Sequence, residues 1–190
     1  MSHLRVLVVA LGLVATLGLA SRRAHAAELT LRDPSTHTRP QTLDAVAVLG
    51  FFVGYSHFGV GGWYGFPVLP DGFIPEVNDA LYIEAGAVVE RYGTTFVCDF
   101  SWNRVSPLAG ARWNVYLTDE WTIFAAAKLG FGFRFGQSYS CGVYPYAGAV
   151  SYSSPVGDVA VGAYWAFSKD WSARFELGYF GVGAGAGTNL

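Results

Sequence analysis

The chain has 190 residues, of which 52% are hydrophobic, 16% aromatic and only 14% charged. That charged fraction is well below the usual share, and the formal net charge of −2 argues against a nucleic-acid partner. After the first residues no apolar run approaches the ~20 residues a membrane helix needs, so the apolar content must serve some other architecture.

Arg5 opens a nearly continuous apolar run over 4–20, and Ala24-His25-Ala26 then puts small residues where a signal peptidase reads them. Residues 1–26 are therefore expected to be a cleaved secretory signal peptide. Its three arginines leave nine basic side chains against fourteen acidic ones, a formal charge of −5 for the remainder. Residues 27–43 are polar, carry Pro34 and Pro40, and are expected to lead into the fold from the periplasmic side.

A first strand is expected from Ala45 to Tyr55, with the odd positions facing outward. Residues 57–78 are rich in Gly, Pro and aromatics and are expected to form the longest, surface-exposed loop. A second strand, Ala80 to Arg91, turns Leu81, Ile83 and Val89 one way and Tyr82, Glu84 and Glu90 the other. A third is expected over Thr94–Trp102, with Trp102 outward. A fourth runs from Leu108 to Leu117, with Trp113 outward and Arg112 inward.

The clearest pattern lies between Trp121 and Phe135. Odd positions are wholly apolar, with aromatics at both ends; even positions are mostly small or polar and include Lys128 and Arg134. That period of two defines a strand rather than a helix. One apolar and one small or polar face match a strand between lipid and a polar lumen. A sixth strand is expected over Tyr144–Ser153, with ambiguous facing. A seventh runs from Val159 to Phe167 with Trp165 outward, and an eighth starts at Trp171 with Arg174 and Glu176 inward. Residues 184–190 read as a Gly-rich tail, or a thin continuation of strand eight.

Two turns repeat one pattern: Leu117-Thr118-Asp119-Glu120-Trp121 and Phe167-Ser168-Lys169-Asp170-Trp171. Each is a tight hairpin followed by Trp. With Trp113 and Trp165, these Trp121 and Trp171 side chains are expected to form an interfacial aromatic girdle. On the dyad alternation and these turns, the stretch from about Ala45 to Phe180 resembles the small eight-stranded outer-membrane barrels of the outer-membrane protein A and X type. The resemblance implies an all-β, antiparallel, up-and-down transmembrane β-barrel over 44–183, monomeric, in contact with outer-membrane lipid. Such barrels usually end in an aromatic residue, whereas this chain ends in Leu190.

Eight inward charges come from different strands and sum to zero: Glu84, Glu90, Arg112, Lys128, Arg134, Asp158, Arg174 and Glu176. Inside a narrow barrel they must pair, so a network that plugs the lumen is expected rather than a wide pore; a narrow ion path is the competing reading. Cys98 and Cys141 lack metal-site spacing, and export permits a disulfide between them. No cofactor is expected. Beyond the signal only His37 and His57 remain, and His57 beside Ser56 would point to the opposite strand face, so no nucleophile and base are brought together and no enzyme is expected. The function expected is structural or surface-interacting, with a protein or other ligand held by 57–78. The alternative is a soluble exported barrel binding a small apolar ligand, in which the odd face would fill the core.

Overall fold

The computed structural model describes residues 39–52, 55–94, 99–141, 144–148 and 152–190. It is all-β, with strands β1 (Thr42–Phe52), β2 (Tyr55–Leu69), β3 (Asp79–Thr94), β4 (Asp99–Tyr116), β5 (Trp121–Cys141), β6 (Tyr144–Gly148), β7 (Tyr152–Ala166), β8 (Trp171–Gly178) and β9 (Gly181–Asn189). Each long strand pairs antiparallel with its neighbours. The β1–β9 and β4–β5 ladders close the sheet into an up-and-down barrel of eight strands. β6 stands outside that count, pairing only with Gln137–Cys141 at the end of β5 among the described residues. Closure pairs the first wall strand with the last, so neither is left as an edge strand.

Period-two alternation holds round the whole wall. On β5 the odd residues from Trp121 to Phe135 are exposed, while Phe124, Ala126 and Lys128 are buried. Leu129, Val159, Leu177 and Val182 are 75%, 68%, 60% and 60% exposed. Side chains point into the interior: Val46, Val48, Trp63, Val88, Leu108 and Phe180 form one apolar cluster there, and buried polar and charged groups lie beside it. Trp63 fits because its partner on β3 is Gly86; a Cβ there would meet the indole at 2.6 Å.

The strand count agrees with the sequence reading, but four assignments differ. Residues 57–78 are not one loop, since residues through Leu69 belong to β2, a full wall strand. Its glycines at 59, 61 and 65 take the inward register and Phe58, Val60, Tyr64 and Phe66 lie outside, so a real alternation is carried by Gly against aromatics. Of the strand expected over Thr94–Trp102, Thr94 ends β3, 95–98 lie outside the described residues, and Asp99–Trp102 open β4, which runs for 18 residues, with Trp102 buried on the inner side. Residues 103–107 fall between the third and fourth expected strands; Pro107 cannot donate to a ladder, and the β4–β5 ladder has no pairs at Ser106 and Pro107 and resumes at Leu108. The expected strand Tyr144–Ser153 is instead divided between β6 and the start of β7. The Gly-rich tail is β9, which pairs with β1 and β8 and closes the barrel.

Residues 70–78, 117–120 and 167–170 all lie at the end that carries Arg39 and Leu190. This is the terminal mouth. The Tyr179-Phe180 turn and the β5–β6 extension lie at the opposite, distal mouth.

Candidate functional site: the charged interior

Each strand contributes inward residues at alternate positions, so ions far apart in sequence meet in the lumen. Glu84 of β3 is the centre. Its Oε1 accepts hydrogen bonds from Arg112 of β4 and Arg174 of β8, each at 2.7 Å. Its Oε2 lies 3.1 Å from the Lys128 ammonium of β5. Asp44 of β1 forms the other side of the cluster, 2.9 Å from Arg174 and 3.3 Å from Arg112. The Tyr164 hydroxyl of β7 donates to Asp44 at 2.9 Å and accepts from Arg174 at 2.8 Å and also from Arg112. Lys128 extends toward Asp158 at 3.6 Å and sits 3.7 Å over the Trp63 ring. Arg174 also holds Glu176 at 2.8 Å.

Arg112, Arg174, Glu84 and Lys128 are no more than 1% exposed. Unpaired ions at that depth would be heavily penalised, and multiple partners offset the penalty only where geometry is good. Three cations facing four carboxylates across one small volume meet that condition.

A second cluster lies toward the distal mouth. Glu90 of β3 takes Arg104 of β4 at 2.8 and 2.9 Å and the Tyr92 hydroxyl at 2.9 Å. His57 of β2 lies 3.4 Å from the same carboxylate and 2.6 Å from the Phe180 carbonyl oxygen. The rings of His57, Tyr92 and Trp102 stack in sequence, at 4.6 and 4.8 Å. At the terminal mouth a cavity of about 510 Å³ opens above Arg112, Tyr82 and Tyr164, and its rim includes Asp119, Glu120 and Lys169.

Of the eight charges expected inside, seven enter an ion pair within these clusters. Arg134 does not: it lies near the rings of Trp102 and Tyr152. Asp44, His57, Arg104 and Tyr164 belong to the interior clusters but were not among the expected eight. Asp44 precedes the expected start of strand one, Arg104 falls between the third and fourth expected strands, and His57 falls in the expected loop. The same inward parity, extended along β1, β2 and β4, would have found all three.

Trp113, Trp121, Trp165 and Trp171 lie on the outer side toward the terminal mouth. Trp121 and Trp165 are register partners with stacked rings 6.2 Å apart. The Trp113 indole N–H donates to Asp79 at 2.7 Å, and its ring packs on Phe73. Cys98 and the side chain of Cys141 lie outside the described residues, and so does the disulfide that export would permit between them. Among the described residues no group of three or more His, Cys, Asp or Glu could hold a metal ion.

A closed barrel of eight antiparallel strands, apolar outside and charged within, is the architecture of the small outer-membrane barrels. Solved structures similar to this chain include a de novo designed transmembrane β-barrel (TM-score 0.48, 13% identity, covering 81% of this chain and 98% of that one). They also include the attachment invasion locus protein of Yersinia pestis, solved with the heparin analogue sucrose octasulfate (TM-score 0.46, 12% identity, 80% and 97% covered). Neisserial surface protein A is a third (TM-score 0.46, 16% identity, 79% and 95% covered). No family model and no curated protein sequence matches the chain. At this level of likeness the fold is defined by the chain's own strand pairing.

Proposed function

We propose that the protein is a monomeric outer-membrane β-barrel, exported through a cleaved signal peptide, whose filled lumen gives it a structural or surface-interaction role rather than that of a wide pore or an enzyme. One observation carries the reading: the polarity of the wall is inverted relative to a water-soluble protein. Outer positions such as Leu129 and Val159 are apolar and open, while Arg112, Arg174, Glu84 and Lys128 are enclosed. Soluble monomers rarely expose continuous apolar patches beyond a few hundred Å², whereas lipid requires such a surface. The soluble alternative needs the odd face of β5 inside, and that face is outside.

An eight-stranded barrel is just wide enough for side chains to fill, and the Asp44–Glu84–Arg112–Arg174 cluster crosses the lumen between β1, β3, β4 and β8. With Arg39 and Leu190 at one mouth, we read that mouth as the periplasmic one of an even-stranded barrel. The interaction surface then moves from 57–78, mostly wall strand, to the distal mouth and its β5–β6 extension. Two measurements test this: fractionation of the envelope, and gel mobility of boiled against unboiled protein. Outer-membrane partition with a heat-dependent shift is expected; a soluble periplasmic protein without a shift would overturn the reading.

A further inference from the structure

Arg104 and Arg134 are direct cross-strand partners on the inner face of β4 and β5. Like charges placed opposite one another destabilise a sheet. Arg104 is matched by Glu90, whose carboxylate is already shared with Tyr92 and His57. Arg134 has no carboxylate partner among the described residues, and its Nε is buried without a hydrogen bond. Among the described residues its guanidinium has two ring neighbours, Trp102 at 5.5 Å and Tyr152 at 5.8 Å. Ser106, fully buried on the same face two residues along β4 from Arg104, also has an Oγ without a partner. Arg104 Cδ and Ser106 Oγ both approach Gly132, lying 3.1 and 3.5 Å from where its Cβ would be.

Buried polar groups without partners are uncommon in native proteins and call for an explanation. Here the unsatisfied groups are hydrogen-bond donors, the local charge is positive, and ring faces surround them. Guanidinium groups match the planar fork of phosphate and sulfate oxygens. Binding pockets combine such polar groups with aromatic walls, and Tyr152, 55% exposed, presents a ring at the mouth.

We infer that the distal mouth binds a phosphate ester of a sugar, its oxyanion seated between Arg104 and Arg134 and its ring against Tyr152 and Trp102. The proposal rests on the barrel reading above and gives its surface role a ligand class. Ser106 supplies a further donor to the oxyanion. The anion removes the repulsion between the paired arginines, so binding and local stability are coupled.

The test is calorimetric titration of the full chain, folded in a sugar-free polyoxyethylene detergent, with glucose 6-phosphate, inorganic phosphate and glucose. Saturable binding of glucose 6-phosphate and none of glucose is expected. Arg134→Gln should weaken it about tenfold or more, the scale of a lost charge-assisted hydrogen bond, whereas Arg91→Gln, on the outer face, should not. Tyr152→Ala should weaken the sugar ester more than inorganic phosphate. Equal affinity for both phosphates in the parent protein would assign the site to the bare oxyanion; a large preference for the ester would assign it to the glycan. No saturable binding of either phosphate, or binding that survives both Arg134→Gln and Tyr152→Ala, would overturn the proposal. Boiled and unboiled gels of every variant separate the two readings: an intact heat shift with no binding removes the site and leaves the barrel standing.

Discussion

Glu84 shows how much of the interior depends on one side chain. Its two oxygens reach Arg112, Arg174 and Lys128, so Glu84→Gln removes the charge that three buried cations share. Breaking a buried ion pair on one side costs roughly 3–5 kcal/mol, and urea unfolding in micelles should show a loss of that order. Glu176→Gln, which leaves only Arg174 with one partner fewer at a site 9% exposed, should cost about 1 kcal/mol. Equal losses for the two would contradict a network centred on Glu84. These charges were legible because inward parity is a local property: once a strand's facing is known, every second residue follows. Asp44, Arg104 and His57 escaped where the strand itself had not been recognised.

Among the elements, β1, β3, β5, β7 and β8 were readable because bulky apolar residues alternate with small or charged ones. β2 and β9 were not. Their inward positions include several glycines, which depress strand propensity, and β9 carries little side-chain mass on either face. What identifies β9 is its pairing with β1 and β8, which no local pattern encodes. The close approach is visible at Gly185, where a Cβ would fall on the Ala45 carbonyl oxygen. Gly185→Val is therefore predicted to prevent closure and abolish the heat-shifted gel band. Ala184→Val, one residue away on the exposed outer side, should keep it. A retained shift in Gly185→Val would mean that β9 does not seal the wall.

For the molecule as a whole, the outer surface is the functional statement. If lipid surrounds it, the cost of an outward charge must vary with depth. Leu129→Arg lies midway along the apolar part of β5 and should destabilise the folded barrel by ~2–4 kcal/mol in vesicles. Leu43→Arg, exposed near the terminal mouth on β1, should cost ~0–1 kcal/mol. Reversible unfolding from lipid vesicles reads both, and equal costs would argue against a bilayer. Fold class was legible because this inversion is written into the alternation. The identity of a surface ligand was not, because it depends on which inward groups from β4, β5 and β7 meet at one mouth. The most direct test of the account is a nitroxide scan along β5 from 122 to 135, with Cys98 and Cys141 replaced, in lipid vesicles. The account predicts oxygen accessibility that peaks at every odd position through Phe135 and falls at every even one. Odd positions shielded from oxygen, with even positions open to a water-soluble relaxant, would contradict it.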